Sequence, residues 1–213
     1  MRGLLTYFGY AAFLITLNQE ESLTMPATTS LQSLHVMVWT ALMASLIAVG
    51  SFLSIPLGPV PFSMQPLFIM LAGFLLGWPH GMIAVLLFVA AGSIGLPVFA
   101  GGKSGLAVLF GPTGGYLIGF VLAAGAIGLL TQARKTARTP SQTPSWALGL
   151  LAGLLGLALL YACGLLNLVR VLDIGWNKAL TIGFLPFILQ DLVKLVMAVA
   201  TWRIMHGRGL LPR

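Results

Sequence analysis

From residue 34 to residue 205 the chain is a succession of apolar stretches, with most of its charged side chains gathered at the ends of those stretches. Hydrocarbon offers no water to satisfy backbone N–H and C=O groups, so segments of this kind cross a bilayer only when their hydrogen bonds close internally, as in a helix. Since 58% of residues are hydrophobic and 7% charged, a soluble core could not hide the apolar surface. The 213 residues leave room for about six spans of roughly 17 to 22 residues and for little else. The expectation is therefore an all-α integral membrane protein forming one domain. The 11 Lys and Arg against 4 acidic residues would suit nucleic acid, but their clustering at segment ends reads as an orientation signal, and no nucleic-acid partner is expected.

Residues 1–33 begin with a short apolar run, LLTYFGYAAFLITL, followed by the polar stretch NQEESLTMPATTS. They are read as an N-terminal extension, with Met25 as a plausible later start. Spans are expected at 34–53, 65–77, 82–94, from the glycine-rich region to about residue 130, at 146–166, and from Leu185 to about residue 205. Pro186 falls in the first turn of the last span, where a missing N–H does no harm. The second and third are short for a full crossing and are separated by a break at Trp78-Pro79-His80-Gly81. The proline-rich sequence SIPLGPVPFSMQP interrupts the chain after the first span, and residues 167–184 form a mixed connection. Glycines 101, 102, 105, 111, 114, 115 and 119 share one region, where backbone can bend closely around a ligand. Arg134, Lys135 and Arg138 place the loop after the fourth span inside. With both termini cytoplasmic, Trp39, Trp78, Trp146 and Trp202 then fall near one interface as aromatic anchors, and residues 206–213 form a basic cytoplasmic tail.

Two ionisable residues, Asp191 and Lys194, sit one turn apart inside the last apolar segment. Ionisable groups at that depth mark a functional site by default, and a spacing of three puts them on one helix face where each keeps the other charged. The same topology brings Gln65, Lys103 and Tyr116 toward the outer half of the bilayer. Together these five are the candidate ligand-binding residues: acceptor oxygens on Asp191, a cation on Lys194, and a second cation near the mouth on Lys103. They suit a ligand with separate polar ends. A purely structural ion pair is the competing reading. Cys163 is alone, the three His are scattered, and no metal constellation is visible. No hydrolase or P-loop motif is present, so the chain cannot hydrolyse ATP and any pumping needs a partner. Ala44 and Ala48, flanked by Ala41 and Ser45, form a small-residue strip suited to close helix contact with a partner or within the protein.

The strings PLGPVPFSMQ at 56–65, LAGFLLG at 71–77, GLPVFAGG at 95–102 and GPTGGYLIGF at 111–120, followed by Asp191 and Lys194, resemble the BioY family in order and spacing. These are the biotin-specific substrate-binding S components of energy-coupling factor transporters. The resemblance implies six membrane helices that bind biotin near the outer surface, with Asp191 on a ureido N–H and Lys194 or Lys103 on the carboxylate. It also implies a coupling protein of the EcfT or BioN type, ABC ATPases of the EcfA or BioM type, and docking through the Ala44–Ala48 strip. Biotin is then a transported substrate and no cofactor is expected. Some relatives occur without these partners, which leaves a homo-oligomer open. Other readings are an S component for a different vitamin and, in another class, an intramembrane enzyme using Asp191 and Lys194 as acid and base.

Overall fold

The computed structural model describes residues 27–56, 58–133 and 144–210. The expected extension up to residue 26, the linker cations Arg134, Lys135 and Arg138, and the end of the basic tail lie outside the described residues. The chain divides between His35 and Val36, and the packing described below is that of residues 36–210.

Among the described residues eight helices follow in order: α1 (Ala27–Phe52), α2 (Gln65–Leu76), α3 (Trp78–Ser93), α4 (Leu106–Phe110), α5 (Gly114–Ala133), α6 (Trp146–Leu172), α7 (Trp176–Gly183) and α8 (Leu185–Gly207). Four stretches, Ser33–Phe52, Gly114–Gln132, Trp146–Leu172 and Leu185–Gly207, are long and apolar enough to cross a membrane, whereas the apolar α2 and α3 are shorter. At 12 residues α2 spans only about 18 Å. It needs no more, because every residue except Phe68 is buried in protein, where backbone need not match the bilayer thickness. The helix packs against α3, α5 and α8.

The break between α2 and α3 falls at Gly77, one residue before the expected Trp78-Pro79-His80-Gly81, which instead forms the first turn of α3. Gly77 has φ +81° and its amide bonds to the Gly73 carbonyl at 3.1 Å. Pro79 is harmless in a first turn, and the left-handed backbone that ends α2 comes most cheaply from glycine. The mixed connection expected at 167–184 is mostly helix: α6 continues to Leu172, Asp173 takes a left-handed C-cap at φ 50°, and α7 follows.

Helices α5 and α6 approach to backbone contact. A Cβ on Gly115 would stand 2.3 Å from the Cys163 carbonyl, and one on Gly119 would stand 2.8 Å from the Leu160 carbonyl. These two glycines therefore serve helix packing, as small residues do in membranes, and not a ligand loop. The proline-rich segment is not plain loop either. Two short strands, β1 (Ser54–Ile55) and β2 (Phe62–Ser63), pair antiparallel with Ser54 opposite Ser63 and Ile55 opposite Phe62. Trp202, expected at the interface, is instead 1% exposed and stacked on Phe74 with ring centroids 5.0 Å apart. Trp146 is exposed and carries Arg203 over its ring at 5.0 Å.

Replacing Gly119 with Val would force α5 away from the Leu160 backbone. The expected cost is about 1–3 kcal/mol, measurable as a lower melting temperature of the detergent-purified protein. An unchanged melting temperature would refute the tight α5–α6 contact.

Candidate functional site

On α8 the buried residues Phe187, Asp191, Lys194, Leu195, Ala198, Val199 and Trp202 recur every three or four positions, so one face of the helix enters the protein interior. Asp191 and Lys194 lie on that face, 3% and 4% exposed. The Lys194 ammonium donates to Asp191 Oδ1 at 2.8 Å and to the Ser63 carbonyl at 2.7 Å. Its Nζ also sits 4.2 Å from the centroid of the Phe62 ring, which accepts a cation on its π face. The other carboxylate oxygen, Oδ2, accepts from the Tyr161 hydroxyl at 2.6 Å. Burying an isolated charge would be prohibitive; here each charge is paired and bonded further.

The network continues through the hairpin. Ser63 Oγ donates to Gln65 Oε1 at 3.1 Å, at the first residue of α2. Tyr161, Asp191, Lys194, Ser63 and Gln65 thus form one connected polar chain linking α6, α8, the hairpin and α2. Gln65 is the exception to its completeness. Among the described residues its buried Nε2 finds no acceptor, although a buried amide donor left alone is costly.

These groups line a cavity that, with its open mouth, encloses about 710 Å³ of empty space. Asp191, Lys194, Lys103, Gln65 and Tyr116 all line it, so the structure brings together every candidate ligand-binding residue named from sequence. The rest of the wall is largely apolar, with Val60, Phe99, Val108, Leu117, Phe120 and Phe187 prominent. Tyr116 donates its hydroxyl to the Gly183 carbonyl at 2.9 Å, so its oxygen anchors α7 while its ring borders the cavity. Lys103 is exposed, held by the bridge between its backbone and that of Phe99. Phe99 fills the space left by Gly92 and meets Phe88 edge to face at 5.6 Å.

Tyr161 and the Ser63 carbonyl escaped the sequence reading. A tyrosine inside an apolar run looks like any interior aromatic, and a backbone acceptor carries no residue signature. The small-residue strip on α1 has Ala41 and Ser45 exposed and Ala44 and Ala48 half-buried. The helix buries a different face, including Met43, Ile47 and Ser51. No group of three or more potential metal ligands occurs among the described residues.

The apolar helices and this pocket define a multi-pass membrane protein built around a cavity with a polar end. The chain belongs to the BioY family, whose model, described as "BioY family", matches residues 21–209. It is 45% identical to "Biotin transporter BioY" of Thermotoga maritima over 76% of this chain and 90% of that one. It is 40% identical to "Biotin transporter BioY" of Rhizobium etli over 83% and 96% of the two chains. Among solved structures it is similar to the crystal structure of "the S-component for biotin from an ECF-type ABC transporter", with TM-score 0.76 and 31% identity over 85% of this chain and 97% of that one.

Removing Asp191 alone, as in Asp191→Ala, strands the buried Lys194 charge. It is expected to destabilise the ligand-free protein by about 3–5 kcal/mol, whereas Asp191→Leu combined with Lys194→Met is expected to restore most of that loss. Thermal unfolding of both variants in detergent checks this, and a double variant as unstable as the single one would contradict the pairing.

Proposed function

We propose that this chain is the biotin-binding S component of an energy-coupling factor transporter in the cytoplasmic membrane. Its six apolar helices α1, α2, α3, α5, α6 and α8 would sit at membrane depth with both termini cytoplasmic. The observation that carries the substrate assignment is the lone amide of Gln65, joined through Ser63 to the Lys194–Asp191 pair. A ligand head that fits must bring an acceptor to Gln65 Nε2 and N–H donors to the carboxylate lone pairs not used by Lys194 and Tyr161. The ureido group of biotin, –NH–CO–NH–, carries both, and its fused ring and chain match the apolar wall.

Of the two lysines open to biotin's carboxylate, Lys103 suits it better. Lys194 already spends its charge on Asp191, while Lys103 stands exposed on the cavity wall with no ion-pair partner among the described residues. Asp191, Gln65 and Tyr161 then hold the ureido head, Lys194 pairs with Asp191, and Tyr116 shapes the wall. Membership of a family whose curated relatives are named biotin transporters favours this over a site for another vitamin and over an intramembrane enzyme.

The chain contains no P-loop, so ATP-driven uptake would draw on ABC ATPases of the EcfA or BioM type acting through a coupling protein of the EcfT or BioN type. The α1 strip of Ala41, Ala44, Ser45 and Ala48 offers that coupling protein a surface of small side chains, two of them exposed, away from the buried face of the helix. ATP-driven toppling of the loaded S component would then deliver biotin inward.

Replacing Gln65 with Met retains its approximate shape and removes the lone donor. Biotin binding by isothermal titration is expected to weaken at least tenfold while the ligand-free melting temperature changes little, because removing the unsatisfied buried amide offsets the loss of the acceptor for the Ser63 hydroxyl. Lys194→Ala is likewise expected to weaken biotin at least tenfold by leaving Asp191 unpaired; unchanged affinity in both variants would sink the assignment. Ala44→Trp and Ala48→Trp are expected to impair cellular uptake while binding in detergent stays near normal. Lost binding in these two would show that the strip packs internally.

A further inference from the structure

The polar groups of the cavity are unevenly distributed. Asp191, Lys194 and Gln65, each no more than 4% exposed, and Tyr161 at 5% form the enclosed part, whereas among the described residues the cation in the exposed part of the lining is Lys103. The segment carrying Lys103 is a tight turn in which the Phe99 amide bonds to the Lys103 carbonyl and the Gly102 amide to the Phe99 carbonyl, both at 3.0 Å. Gly101 and Gly102 form its tip at φ +74° and +71°, with no atom within 4 Å of where a Cβ would stand on either. Gly101, Gly102 and Lys103 are all exposed among the described residues.

We propose that the cavity also binds biotin whose carboxyl group is condensed with an amine, that is, neutral biotin amides such as a biotinylated lysine side chain. This rests on the assignment of biotin as ligand and adds a substrate class to it. An amide changes nothing that the enclosed groups contact, since head and apolar chain are the same. At the mouth it exchanges a carboxylate for a carbonyl that still accepts a hydrogen bond from the Lys103 ammonium. What is lost is an exposed ion pair, worth at most about fivefold in affinity. The substituent beyond the amide leaves at the exposed mouth beside Lys103.

The test is isothermal titration of the full-length, detergent-purified protein with biotin, biotin methylamide and Nε-biotinyl-lysine, repeated with Lys103→Ala. Both amides are expected to bind within tenfold of biotin. Lys103→Ala is expected to weaken biotin about fivefold and the methylamide less than twofold, so that the preference for the free acid disappears. Amides weaker than biotin by more than tenfold in the wild type would overturn the proposal while leaving biotin as ligand. Equal losses for acid and amide in Lys103→Ala would also overturn it, because Lys103 would then act through the loop and not on the carboxyl end. Failure of biotin itself to bind would remove the functional assignment together with this extension.

Discussion

The ammonium of Lys194 joins the last helix to the hairpin near the start of the chain, bonding the Asp191 carboxylate on one side and the Ser63 carbonyl on the other. A lysine at this depth is tolerated only because both partners are supplied. The consequence is mutual dependence: α8 cannot keep its charged face inward without the hairpin, and without α8 the Ser63 carbonyl loses the ammonium that satisfies it. Residues 131 positions apart thereby become neighbours, and Gln65 at the first turn of α2 is brought into the same network through Ser63. The candidate site is therefore where three separately encoded pieces of chain are joined, and the proposed ligand recognition would use polar capacity left over from structural cohesion.

Around this polar centre the packing is built from small residues. Gly115 and Gly119 on α5 let α6 approach to backbone contact, and Gly164 on α6 leaves the space that the Tyr116 ring fills. These contacts set the distance between the two helices and so hold Tyr116 and Tyr161 on the same cavity wall. Asn167 adds a further tie, donating to the Gly111 carbonyl at 2.9 Å and pinning the turn ahead of α5. The residues that position the site are thus mostly glycines and amides one layer behind it.

Much of this was legible in the letters. Asp191 and Lys194 stood out because charge is expensive in an apolar helix and the spacing of three aligned them. Gln65 and Lys103 followed from the loops that flank the short helices. Four spans long enough to cross agree with the apolar runs, and the shortness of α2 and α3 was visible too. Other features were hidden for physical reasons. Trp202 near the end of a span looks like an interfacial anchor, and only its stack on Phe74 reveals a core residue. The glycine cluster reads as one flexible loop, although Gly101, Gly102 and Gly105 adopt left-handed backbone while Gly115 and Gly119 are regular helix in close contact. The hairpin was masked by its prolines, since strands of two residues carry no usable alternation. Tyr161 gives no signal until Asp191 is seen beside it.

The enclosure of α2 bears on how such a protein behaves in different membranes. Lipid thickness acts on the helices it touches, stretching or tilting them to relieve mismatch. A helix surrounded almost wholly by protein does not feel that force directly, and Gln65 sits at its first turn. The Gln65 end of the cavity's polar network is consequently set by protein contacts, whereas Asp191 and Lys194 stand on a helix whose opposite face, with Leu189, Val193 and Val196, is exposed, so a change in bilayer thickness would reach the network through α8 and not through α2.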